Sequence, residues 1–306
     1  MPKDSVPKGK LVETGSLRVD RTRALKKLQK YQLPPSVSRL GLWLKVAASS
    51  GASSLRLGGG YRGNVYRFDG DPFSERDLKR PYEVLFEKET PGSKRRRHFA
   101  LALMNSYHRN VSSIEVVSGF GGRRRLRSSK FGEETVEPCD DGKMETIVKI
   151  GWPLFVVAYG KAHPAVERQQ REGYGRNPLE MTPIRIRTTG AFREFKNIVP
   201  AEARRPEGKN FILVDGARIY LKKTWDIDIF GPRFYIGTDG IEVERLTGIK
   251  ASRKITGWVD DPQLSLNASM TKIVRNKRFE RVKKIFQAEV DHFSGLGSQS
   301  TGELSR

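Results

Sequence analysis

The sequence predicts an α+β protein: an α/β sandwich followed by a smaller α/β unit with a long C-terminal helix. Three observations carry this. Residues 36 to 50 put Leu40, Trp43, Leu44, Ala47 and Ala48 at the i, i+3, i+4 spacing of a buried helix stripe. Strand-like stretches fill 112 to 150 and return from 184 to 245. A run from Ser269 to Phe293 then points Ile273, Phe279, Val282 and Phe286 one way and cations the other.

Taken in order, residues 1 to 20 are polar, carry two prolines and are expected to be a disordered tail. Thr22 to Tyr31 makes a short basic helix whose apolar side is Ala24, Leu25 and Leu28. It is read as an arm packing on its own unit, with an arm exchanged between two subunits as the alternative. Pro34 and Pro35 separate it from the 36–50 helix, which Gly51 ends. Ala52 to Leu57 reads as a strand, Gly58 to Gly60 as its exit loop, and Asn64 to Phe68 as a second strand. After the turn Phe68-Asp69-Gly70-Asp71-Pro72-Phe73, Ser74 caps a helix with Asp77 at the N3 position. That helix is expected to reach Glu87 despite Pro81, and a further one to run from Ser93 to Tyr107. Strands are expected at Ser112–Ser118, Arg123–Ser128, Glu133–Glu137 and Glu145–Ile150, with Gly119 to Gly122 as a hairpin loop and Asp140-Asp141-Gly142 as a turn.

Trp152-Pro153 marks the expected boundary, giving a first unit over 21–151, a linker over 152–183, a second unit over 184–293 and a tail over 294–306. A helix broken at Pro164 is expected inside the linker. Strands of the second unit are expected at Ile184–Thr188, Phe211–Val214, Arg218–Lys222, Trp225–Phe230, Arg233–Ile236 and Ile241–Arg245, with a turn at Asp215-Gly216.

Helix, "SGASSLRL", strand, "FDGDPFS", helix resembles the nucleotide-binding fold shared by gyrase B, the ninety-kilodalton heat-shock chaperones, histidine kinases and MutL, the GHKL class. The resemblance implies a helix bearing a water-activating Glu and a Mg²⁺-holding Asn, and a turn whose Asp reads adenine. Leu42 stands where that Glu would fall, Val46 where the Asn would fall, and Phe68 where the Asp belongs. Asp69 lies one position away, beside Gly70, so these two are the candidate nucleotide-binding residues should the turn shift by one. Pro91 to His98 corresponds to the end of the lid that closes over phosphates in that class. The resemblance also implies an antiparallel meander after the lid helix. "GWVDDPQLSLNAS", residues 257 to 269, is similar to a middle-domain segment of the heat-shock chaperones, although Met270 stands where those place an Arg.

With 57 Lys plus Arg against 35 Asp plus Glu, the formal charge is +22, which favours a polyanionic partner or neutralisation inside an assembly. Basic runs offer candidate anion or nucleic-acid contacts at Lys94, Arg95, Arg96 and Arg97, at Arg123, Arg124 and Arg125, and at Arg275, Lys277, Arg278 and Arg281. The opposing reading of each run is a solvated face. Cys139 is alone, the four histidines are scattered, and no metal-ligand spacing occurs. No signal-peptide pattern and no stretch of 18 apolar residues appears, so a cytoplasmic protein without membrane contact is expected.

Together these readings favour a chaperone-like or scaffold subunit with little or no ATP hydrolysis and no required cofactor, ATP being the candidate ligand. Its expected partner is a protein or larger assembly, with homodimerisation open. The alternative is a nucleic-acid-binding accessory protein of the topoisomerase or mismatch-repair kind.

Overall fold

A computed structural model describes residues 21–32, 39–60, 63–88, 90–107, 111–119, 122–129, 131–140, 143–153, 184–188, 211–223, 232–251, 255–267 and 272–295. In chain order, helices α1 (Arg21–Gln32) and α2 (Arg39–Ser49) lead into strands β1 (Ser54–Gly60) and β2 (Gly63–Phe68). Helices α3 (Glu75–Lys79) and α4 (Lys94–Ser106) precede β3 (Ser113–Ser118), β4 (Arg124–Ser128), β5 (Thr135–Pro138), β6 (Thr146–Gly151) and β7 (Arg185–Thr188). Then come β8 (Phe211–Val214), β9 (Ala217–Lys223), β10 (Arg233–Thr238), β11 (Ile241–Leu246), β12 (Ile255–Asp260) and α5 (Lys277–Phe293).

The first seven strands form one sheet in the order β5-β4-β3-β6-β2-β1-β7, antiparallel except where β7 runs parallel to β1. Helices α2 and α4 pack on one face. Trp43, Leu44 and Ala47 of α2 are fully buried, and the core they share with Phe99 and Leu103 of α4 includes Leu55, Tyr66, Phe68 and Val148 from the strands. Burying several large side chains this way contributes about 1.5–3 kcal/mol each. Leu25 of α1 is buried against the same core and Leu28 packs on it, while Gln29 Nε2 donates to the Met104 carbonyl at 3.0 Å. Packing on its own core is thus what α1 does here.

The second sheet runs β11-β10-β12-β9-β8. Phe279, Val282, Phe286 and Val290 line the buried stripe of α5 and meet Ile219, Leu221, Phe234, Ile236 and Val259. Gly257 lets helix and sheet approach: a Cβ there would stand 3.1 Å from Phe286 Cζ and 3.0 Å from the Tyr220 carbonyl oxygen. On the opposite face Trp258 is paired in register with Tyr220 and Tyr235 and stacks on the latter at 5.7 Å. Two tight hairpin turns carry paired left-handed residues, Asp215-Gly216 (φ 52° and 79°) and Asp239-Gly240 (φ 59° and 76°).

Several expectations change. The stretch Gly58 to Gly60 is strand, not exit loop, because β1 continues pairing with β2 up to Gly60↔Gly63. The helix after Ser74 stops at Lys79. Its capping box forms as expected, but Pro81 ends the α-helical run and only a 3₁₀ turn, Glu83–Phe86, follows. The strands after α4 are not a simple meander: β6 passes over to lie between β3 and β2. Strand β7, expected to open the second unit, closes the first sheet, with Ile184 and Ile186 in the first core. The C-terminal helix begins at Lys277, where the Asn276 side chain accepts from Phe279 N at 3.0 Å, so Ile273 and Arg275 precede it. What is expected of residues 1–20, 141–142, 154–183, 224–231, 268–271 and 296–306 lies outside the described residues.

Candidate functional site

The three residues that stand where the sequence resemblance expects the base, the metal ligand and the adenine-reading acid are all buried. Leu42 and Val46 point into the core, 3% and 0% exposed. Phe68 is buried at 1%, and Phe73, just past the turn, stacks on Phe99 of α4 with ring centroids 4.4 Å apart. Trp43 meets Phe99 edge-on at 6.1 Å, and its Nε1–H donates to Ser106 Oγ at 3.0 Å. Helix α2 therefore lies directly against α4.

The turn itself is held from both sides. Asp71 N donates to the Ser50 carbonyl at 2.7 Å, and Gly70 (φ 99°) sits so close that a Cβ would be 2.8 Å from Ala52 N. Asp69 turns toward β1, where its carboxylate accepts from Ser53 Oγ and from Ser54 N at 2.8 Å. Burial alone would raise the Asp69 pKa. The hydrogen bonds from Ser53 and Ser54 outweigh it and hold the carboxyl below its ordinary range. Asp69 is thus an ionised cap on the start of β1.

A second polar cluster lies where α2 and α4 meet the β10–β11 turn. Lys94 Nζ pairs with Asp239 at 2.6 Å and donates to the Pro262 carbonyl at 3.1 Å. Lys45 is buried; desolvation, opposed by Asp239, brings its pKa down to about 8. His98 Nδ1 lies 3.2 Å from the Lys45 carbonyl oxygen and 3.0 Å from Ser49 Oγ. Burial, with Lys45 and Lys94 nearby, brings its pKa down to about 3, so the ring is neutral. The sequence gives no sign of this cluster, because Lys94 lies 49 positions after Lys45 and Asp239 a further 145 on; only the folded register unites them.

The basic runs are largely engaged internally. Arg95 lies over the Phe73 ring at 4.9 Å and donates to the Asp71 carbonyl. Arg96 pairs with Glu87 at 2.9 Å, and Arg97 donates to the Glu87 carbonyl. Arg123 is buried and donates to the carbonyls of Lys143 and Glu145; Arg124 pairs with Glu75 at 3.0 Å, and Arg125 with Glu115 and Glu137. Glu75 and Asp77 of α3 draw the first two runs together. The third run stands apart on the second sheet. Arg278 binds Asp261 and Asp215, each at 2.6 Å, Arg281 shares Asp215, and Arg275 pairs with Glu244. Acidic residues thus partner Arg275, Arg278 and Arg281; Lys277 is exposed and has no ion pair among the described residues. Because Asp261 is wholly buried, Arg278→Ala is expected to cost about 3–5 kcal/mol, measured by chemical denaturation, by stranding that carboxylate.

Apart from these, a cavity of about 400 Å³ opens between α1 and the 79–86 segment, lined by Leu25, Tyr82, Phe86, Phe131 and Glu134 among others. Tyr82 Oη donates to Glu134 Oε1 at 2.6 Å and Tyr107 Oη at 3.2 Å. Among the described residues no group of three or more His, Cys, Asp and Glu could hold a metal, and no helix is long and apolar enough to cross a membrane.

No protein-family profile matches the chain, and no curated protein matches it. Among solved structures, the chain is similar to the B-subunit of DNA gyrase from Myxococcus xanthus, at 12% identity and a TM-score of 0.48, over 83% of this chain and 89% of that one. It is also similar to the ATPase domain of the mismatch repair endonuclease MutL from Aquifex aeolicus, at 8% identity and a TM-score of 0.46, over 84% of this chain and 98% of that one.

Proposed function

We propose that the chain is a scaffold subunit built on a GHKL-type fold that neither binds nor hydrolyses ATP at the family's position. One observation carries this: the side chains at the positions of the Glu, the Asn and the adenine-reading Asp are Leu42, Val46 and Phe68, all inside the core. An aliphatic side chain can neither polarise water nor ligate Mg²⁺. Losing a positioned base alone typically costs about 10²- to 10⁴-fold in rate. Asp69 is read as a cap on β1 rather than an adenine reader, because its carboxylate is turned toward the Ser53 and Ser54 donors.

The remaining capacity of such a fold is to present surfaces to a protein partner in an assembly, and the division into two units at the end of the first sheet belongs to the same proposal. The Lys94–Asp239 pair and Ile241, which joins the first core, tie the second sheet to the first. Steady-state assays with Mg-ATP are expected to show no hydrolysis above background. Turnover that disappears on chelating Mg²⁺ would overturn the reading.

A further inference from the structure

We propose that the outer face of the seven-stranded sheet, the one turned away from α2 and α4, binds the phosphate backbone of duplex nucleic acid. Strand alternation sends Leu55, Leu57, Tyr66, Phe68 and Ile186 inward, so their neighbours Arg56, Arg67, Arg185 and Arg187 line the other face. The register aligns three of them side by side: Arg56 is the cross-strand partner of both Arg67 and Arg187. Like charges placed directly opposite destabilise a sheet, so this row needs a compensating anion. Glu145 reaches Arg56 and Arg67 only. Arg185 and Arg187 are exposed and have no ion pair among the described residues. Farther along the sheet, Lys149, Glu115 and Arg127 are aligned in register; Glu115 pairs with both cations, and Glu137 also pairs with Arg127.

Charged side chains on an edge strand also block edge-to-edge pairing. That accounts for β7 but not for Arg56 and Arg67, which stand on interior strands. Arginine predominates over lysine in the patch, and its planar fork suits phosphate oxygens. None of the outward strand residues is aromatic, so the face offers no stacking platform for unpaired bases, which favours a duplex held by its backbone. The arginine row crosses β7, β1 and β2, three strands about 4.8 Å apart and so roughly 10 Å across; beyond Arg67 the same face carries the buried Ile147 and Val117. This surface is separate from the filled nucleotide position, and either assignment can fail without the other.

Fluorescence anisotropy with a labelled duplex of two helical turns, at several salt concentrations, tests the proposal. If about four phosphates are neutralised, affinity should fall about 10²-fold between about 50 and 200 mM salt. The Arg185→Ser/Arg187→Ser variant should lower the log–log salt slope by about 2, and Arg67→Ser by about 1. Serine at Arg95, Arg96 and Arg97, whose guanidinium groups are engaged internally, should leave the slope unchanged. The proposal is overturned if wild type fails to bind at low salt, or if the α4 triple variant flattens the slope and the sheet variants do not. Phosphatidylserine vesicles bound with the same arginine dependence, in place of the duplex, would also overturn it.

Discussion

Restoring the family's catalytic pair by Leu42→Glu and Val46→Asn is expected to destabilise the protein without creating an ATPase. Both side chains are buried on α2, at 3% and 0% exposure, and belong to the first core. A carboxyl forced into that site is desolvated, and Lys45, one helical turn along on α2, is itself buried and already faces Asp239. The asparagine amide meets the same difficulty one turn along. The two together are expected to cost on the order of 5 kcal/mol, comparable with the whole stability of a small domain. Urea denaturation reads the loss, and a phosphate-release assay reads activity. A folded double variant with Mg²⁺-dependent hydrolysis would show that the cavity needs only its ligands back.

The second large effect is acid sensitivity from His98. Its folded pKa of about 3 lies below the ordinary 6.5, with burial as the main cause. Between those values the unfolded chain binds the proton and the folded chain does not. Stability therefore rises with pH across that window and falls as pH drops from about 6.5 toward 3, by on the order of 5 kcal/mol when complete. His98→Gln can keep a bond to the Lys45 carbonyl while removing the titration, so the difference between wild type and variant across this window isolates the histidine. Parallel stability curves for the two proteins would contradict the assignment.

Much of the fold was legible because it is locally encoded. The Trp43-centred stripe, the Ser74–Asp77 capping box, the Asp215-Gly216 turn and the Phe279–Val290 face of α5 each depend on residues a few positions apart. What escaped depends on distant partners. Gly58 to Gly60 looks like a loop because glycine weakens a strand; it is a strand because Gly63 can approach β6, where a Cβ would lie 3.1 Å from Gly151 Cα. Nothing near Ile186 announces Leu55 as its partner, so the sequence alone groups β7 with the second unit. The charge runs misled for the same reason. A cation's carboxylate can lie dozens of residues away, as Asp239 does from Lys94, and Asp215 from Arg278. The outer-face arginines never form a run, since alternation spaces them two apart and pairing, not sequence, assembles the row.

Isothermal titration calorimetry of the full chain with Mg-ATP addresses the central claim, that the protein's own core occupies the nucleotide position, most directly. No saturable heat is expected at millimolar nucleotide, and none should appear when Mg²⁺ is withheld. A one-to-one isotherm of micromolar affinity, lost when Asp69 is replaced by alanine in a variant that still folds, would show that the turn opens and that the fold retains its ligand.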